Sequence, residues 1–259
     1  MKALVAVVAL TVGATEGYAL PTIGMKGQKQ VLKSTAADCS PATAAIDLDI
    51  NNVKARLMTG GDMWWDQGTT NAAYEIPKGS RKNALFAGSC WVGGIQNGSL
   101  KVAAQLFRAA GNDYWPGPLN YNGGTYEISK NTCNEWDKFW KLDRVLVNEW
   151  KELTKSGDKN LISNYKVEKF RKIWEWPARG NGLGTDPNQP TNTNDWKAVG
   201  STNSILELDD RDYAPFINNN VQGVNNPQDV YNPELGDYPN MEDPGRGDQM
   251  VWWVFNDRG

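Results

Sequence analysis

From residue 46 onward the apolar positions fall into two rhythms. Ile46, Leu48 and Ile50 alternate with Asp47 and Asp49, and Val53, Ala55 and Leu57 keep the same period of two, which marks strands with one buried face. Short runs rich in aromatic and β-branched residues follow at 63–65, 73–76, 84–92 and 100–107, with 85–92 reading as a core strand around Cys90. Gly60-Gly61, Pro77-Lys78-Gly79, Gly93-Gly94 and Asn97-Gly98 separate them. Asn97-Gly98 is the strongest hairpin signal, because a two-residue type I′ turn needs positive φ at both central positions. These features predict an antiparallel β region.

The rhythm changes near Cys133. Thr132-Cys133-Asn134-Glu135 fits a capping box, and Trp136, Phe139, Trp140, Leu146, Trp150 and Leu153 then recur at helical steps up to Gly157, a natural terminator. Tyr165, Val167, Phe170, Ile173 and Trp174 predict a second helix over 159–176, ending before Pro177. Residues 177–204 carry Gly, Pro, Asn and Thr without periodicity and read as a long surface loop. Beyond them come Ile205-Leu206-Glu207-Leu208, the acidic Asp209-Asp210-Arg211-Asp212, and an apolar terminal strand, Met250-Val251-Trp252-Trp253-Val254-Phe255, which needs partners along its edges. The expected fold is mainly β, an antiparallel sheet or sandwich spanning 46–259 as a single domain, with a helical pair inserted near 133–176.

The N-terminal segment has a different character. Lys2, the apolar stretch 3–12 and the small-x-small sequence Gly17-Tyr18-Ala19 read as a secretory signal over 1–19, too short an apolar run to span a bilayer comfortably. Residues 20–45 lack a sustained apolar period and read as an extended arm. Three cysteines without a C-x-x-C spacing suit an exported chain with one disulfide and one spare thiol. Cys39 and Cys133 lie in polar or helix-start contexts and are the expected pair, leaving Cys90 buried and inert.

Composition narrows the chemistry. The 259 residues contain 27 Lys+Arg, 30 Asp+Glu and no His. Without histidine there is no Ser-His-Asp triad, Cys-His dyad or imidazole-bound zinc. Without a basic cluster, nucleic acid is not an expected partner.

The strings Leu48-Asp49-Ile50-Asn51-Asn52-Val53-Lys54-Ala55-Arg56-Leu57, Gly60-Gly61-Asp62-Met63-Trp64-Trp65-Asp66 and Tyr74-Glu75-Ile76-Pro77-Lys78-Gly79 carry a resemblance. So do Gly111-Asn112-Asp113-Tyr114-Trp115-Pro116-Gly117-Pro118 and Gly247-Asp248-Gln249-Met250-Val251-Trp252-Trp253-Val254-Phe255-Asn256-Asp257. Together they resemble the N-terminal region of large cell-surface proteins exported by the type IX secretion route of gliding bacteria, over most of 35–259 and in the same order. The resemblance implies an extracellular protein with no catalytic motif. Members usually continue for many hundreds of residues to a sorting domain, which implies that this chain is a fragment, a processed product or a short standalone subunit. The family also tends to carry a calcium-like Asp-x-Asn-x-Asp-Gly loop. The corresponding stretch here, Asn218, Asn220 and Gln222 followed by Asp237, keeps the oxygens largely as amides and defines a candidate Ca²⁺ site of low charge. An Asn-rich turn is the alternative.

Three functions follow as expectations. The first is an extracellular structural or adhesive surface protein that assembles with copies of itself or with other surface proteins. In that reading an arm or strand is exchanged at the terminal segment Met250, Val251, Trp252, Trp253, Val254 and Phe255. The second is a glycan-binding module using Trp64, Trp65, Tyr114 and Trp115 as stacking platforms. The third, weakest, is a hydrolase with paired carboxylates drawn from Asp62 and Asp66 or from Asp209, Asp210 and Asp212.

Overall fold

The computed structural model describes residues 39–105, 113–122, 125–162, 168–179, 213–219, 231–242 and 247–257. The signal segment, the arm before Cys39, residues 180–204, the stretch 205–208, the acidic group Asp209, Asp210 and Asp212, and Asn220 with Gln222 lie outside them.

In chain order the strands are β1 (Ala45–Leu48), β2 (Lys54–Met58), β3 (Asp62–Met63), β4 (Tyr74–Glu75), β5 (Asn83–Leu85), β6 (Gly88–Ser89), β7 (Trp91–Gln96), β8 (Ser99–Ala104), β9 (Trp115–Pro116), β10 (Asn120–Asn122) and β11 (Thr125–Glu127). Then come α1 (Lys130–Trp136), β12 (Trp140–Asp143), α2 (Arg144–Ser156), α3 (Lys159–Ile162), α4 (Arg171–Trp174), β13 (Phe216–Ile217), β14 (Tyr238–Pro239), β15 (Gln249–Trp252) and β16 (Phe255–Asn256). The protein is built mainly of antiparallel strands in several small sheets, with few short helices. The largest sheet orders β5-β4-β2-β3-β6, with β1 on the other side of β2; the remaining strands pair as β7-β8, β9-β16, β10-β11, β12-β15 and β13-β14.

The alternation at 46–50 becomes β1 as far as Leu48, paired so that Ile46 faces Leu57 and Leu48 faces Ala55, while Ile50 lies beyond the strand and is exposed. Its polar side ties the sheet to its neighbours. The Arg56 guanidinium holds Asp47 at 2.7 Å and Asp66 at 2.6 Å, while Lys141 Nζ reaches Asp49 Oδ1 at 2.7 Å and the Asp47 carbonyl at 2.6 Å. Gln249 accepts from the Asp49 N–H and donates to Asp143, so β1, β12 and β15 meet along one polar seam.

The helical region departs from expectation. A single helix over 132–157 does not form: α1 begins at Lys130, places Thr132 inside the helix and stops at Trp136, and residues 140–143 are extended as β12. Trp136, Phe139 and Trp140 satisfy a helical period, but Trp140 and Leu142 equally satisfy a period of two. The deciding factor is β15, whose apolar residues pair with β12 in the register Trp140 to Trp252 and Leu142 to Met250. Trp136, Trp140 and Trp252 form one aromatic cluster with centroids 5.2–6.1 Å apart.

Helix α2 keeps Trp150 of its predicted stripe fully buried, while Leu146 and Leu153 are half-buried. Val147, Trp150 and Thr154 are buried at three- and four-residue steps, and Gly157 ends the helix in the left-handed conformation, its N–H donating to the Thr154 carbonyl. The main core gathers Leu142, Val147, Trp150, Phe170, Ile173, Trp174, Trp176, Tyr231, Tyr238 and Met241. Of the second predicted helix, α3 covers Lys159–Ile162, and a 3₁₀ turn at Glu168–Phe170 leads into α4; Tyr165 and Val167 lie outside the described residues.

Two further expectations change here. The terminal segment 250–255 does not lack an internal partner: Met250, Val251 and Trp252 pair with β12, and Phe255 pairs with Pro116 of β9. Residues 85–92 are not a core strand: Leu85, Phe86, Trp91 and Val92 are exposed and Cys90 is only half-buried.

Candidate functional site

Hairpin β7-β8 is the outstanding surface feature. Asn97 and Gly98 both carry positive φ, 50° and 77°, so the turn is the primed type the Asn-Gly pair demands. Six residue pairs run from Trp91–Ala104 at the base to Gln96–Ser99 at the tip. Because side chains alternate across a strand, Trp91, Gly93 and Ile95 share one face with Leu100, Val102 and Ala104. Every position of that face is apolar. Lys101 lies on the other face with Val92, Gly94 and Ala103.

The base of the hairpin is anchored. Tyr114 Oη donates to the Ala103 carbonyl at 2.9 Å, and the Ala104 N–H donates to Asp113 Oδ2 at 2.8 Å. Ser89 Oγ and Trp91 Nε1 both donate to the Gln105 carbonyl. Behind this base sits Asp62, whose carboxyl is pushed up to about 6 by burial, with hydrogen bonds from Trp65 and Gln105 pulling the other way. Burial also raises the Tyr114 phenol to about 12, with Cys90, Asp257 and Asp113 adding to it. Beyond the base Ile95 and Leu100 are exposed, as is the Trp91 ring, and among the described residues β7 and β8 pair as strands only with each other.

The predicted site residues fall elsewhere. Cys39 and Cys133 form the disulfide, with Cα atoms 5.8 Å apart. Beside it, Asp137 accepts from the Thr43 and Ala44 N–H groups and from the hydroxyls of Thr43 and Thr59, so the end of the arm is fastened to the α1–β12 turn twice. Trp65 and Tyr114 are buried, so neither can stack on a sugar, and Trp64 and Trp115 are half-buried. Trp64 stands edge-on to Tyr74 at 5.7 Å. Asp62 is buried, and Asp66 is taken up by Arg56 and by the N–H groups of Gly68 and Thr69.

In the candidate calcium loop, Asp237 is buried and accepts from Asn218 Nδ2 at 2.9 Å and from the Asn219 and Asn232 N–H groups at 2.8 Å. That carboxylate gathers the chain on both sides of 220–230 through N–H donors. No group of three or more His, Cys, Asp or Glu among the described residues could hold a metal ion. Among the same residues, no helix is long and apolar enough to cross a membrane.

Comparison with family models, with curated proteins and with solved structures finds no match. The site that sequence reasoning missed is the apolar hairpin face. Its signal was present as the alternation around Asn97-Gly98, but alternation says that a face is apolar and not what lies against it.

Proposed function

We propose that this chain is an extracellular structural or adhesive surface protein whose role is binding and not catalysis. The observation that carries the reading is the exposed apolar face of β7-β8, since a soluble protein seldom leaves such a contiguous face uncovered without a partner for it. The Cys39–Cys133 disulfide is consistent with an extracytoplasmic location, and the sequence resemblance to type IX-exported surface proteins points the same way. Exchange of the strand 250–255 loses its motive, because that segment is already paired within the chain. A second reading is favoured by Trp91, which is exposed while its Nε1 is held by Ser89 and Gln105, as a sugar-stacking platform would require.

Labelling of intact producing cells with a membrane-impermeant amine reagent tests the location. Labelled chain with Cys39 bridged to Cys133 is expected; labelling only after lysis, with all thiols free, would refute it. Quenching of Trp91 fluorescence by defined oligosaccharides, lost in Trp91→Phe, would favour the glycan reading.

A further inference from the structure

We infer that the apolar face of β7-β8 docks against the same face of a second copy of this chain, about a two-fold axis parallel to the strands. The inference rests on the binding role proposed above and names the partner.

The first argument is extent. Trp91 is 65%, Ile95 80% and Leu100 73% exposed. With Val102 beside them, the face offers roughly 500 Å² per copy, so a face-to-face pair removes roughly 1,000 Å², the lower bound for a specific interface. The second is charge. The face carries none, Lys101 being on the opposite side, so a copy of itself meets no like-charge repulsion and leaves no ion desolvated.

The third argument is shape. From base to tip the cross-strand pairs on this face are Trp91–Ala104, Gly93–Val102 and Ile95–Leu100. Bulk lies at both ends and a dent at Gly93 in the middle. A two-fold axis running along the hairpin between β7 and β8 lays Trp91 of one copy over Ala104 of the other and Val102 over Gly93, so a side chain enters each dent. Such a contact is isologous and closed. The glycine is not required by its own chain: a Cβ there would meet nothing nearer than the Lys101 carbonyl at 3.8 Å and Val102 Cγ2 at 3.9 Å. The missing side chain leaves room for something from outside the fold.

That last point supplies a test that separates a shaped interface from general stickiness. Sedimentation equilibrium of the disulfide-intact chain is run for wild type, Gly93→Val, Ile95→Lys/Leu100→Lys and Lys101→Glu, each checked for native far-UV circular dichroism. A wild-type dimer is expected, weakened about a hundredfold or more by the lysine pair and changed less than about threefold by Lys101→Glu. Gly93→Val enlarges the apolar face and raises strand propensity, yet should weaken the dimer about tenfold or more by filling the dent. Dimerisation strengthened by Gly93→Val would overturn the proposed packing. A wild-type monomer at all concentrations would overturn the second-copy assignment while leaving the surface location untouched. If that monomer dimerises only after deletion of residues 20–38, the occupant is the chain's own N-terminal segment, and if it does not, a foreign partner.

Discussion

Trp150→Ala should be among the most damaging single changes in the described part of the molecule. The indole is fully buried on α2, with ring centroids 5.0 Å from Phe170 and 6.2 Å from Trp174, and its Nε1 donates to the Asp237 carbonyl at 3.0 Å. Some 200 Å² of aromatic surface at about 25 cal/mol per Å² sets a ceiling near 5 kcal/mol, and the lost hydrogen bond adds about 1 kcal/mol. Alanine recovers part of that area and the cavity relaxes only partly, so the expected loss is about 4 kcal/mol. Trp140 provides the internal comparison. It is half-buried between Trp136 and Trp252 with Lys138 Nζ 4.9 Å from its ring, so Trp140→Ala should cost about 2 kcal/mol. Trp150→Phe keeps most of the volume and should cost roughly 1 to 2 kcal/mol, mainly the hydrogen bond. Urea unfolding followed by far-UV circular dichroism reads all three, with the midpoint shifting and the slope unchanged. A Trp150→Ala variant within 1 kcal/mol of wild type, or a Trp140→Ala variant costing as much as Trp150→Ala, would refute the placement of the core beneath α2.

Asp62, held near 6 when folded against an ordinary 3.8, keeps a proton that the unfolded chain has released, so its contribution to stability is full below about pH 4 and disappears as pH rises through about 6. Asp62→Asn should remove a fall of up to roughly 3 kcal/mol between those limits and be more stable than wild type at about pH 8; identical pH profiles would contradict this. The Cys39→Ala/Cys133→Ala variant opens a loop of 94 residues and should lose on the order of 4 to 5 kcal/mol in guanidinium unfolding, with non-reducing peptide maps of wild type showing the bridge. Asp137→Ala removes the acceptor shared by Thr43, Ala44 and Thr59 and should speed hydrogen exchange at the Thr43 and Ala44 amides at least tenfold while leaving those of α2 protected.

What was legible in the sequence was decided locally. Asn97-Gly98 dictates its own turn, Gly157 its own helix end, and the alternation at 46–48 its own strand, because the needed φ angles and faces belong to adjacent residues. The strand at 140–143 was not legible, since Trp136, Phe139 and Trp140 fit two periods and the arbiter, β15, lies far along the chain. The hairpin face was half legible: its apolarity could be read, its exposure could not. Asp137 gave no signal at all, and Asp237 gave one only as a candidate calcium ligand, not as an acceptor of N–H groups. Each is an acidic residue near a turn whose role is to accept N–H groups from distant segments, and composition does not distinguish that from a solvated carboxylate.

The measurement that bears most directly on the central claim is hydroxyl-radical footprinting of Trp91, Ile95 and Leu100 in the native cell-surface material, set against the dilute purified chain. If the chain acts by presenting the β7-β8 face to a partner, these three side chains will be at least several-fold less oxidised in the native material, with Val145, exposed on α2, labelled equally in both. Equal oxidation of the hairpin face in the two samples would contradict the claim that this face is where the protein binds.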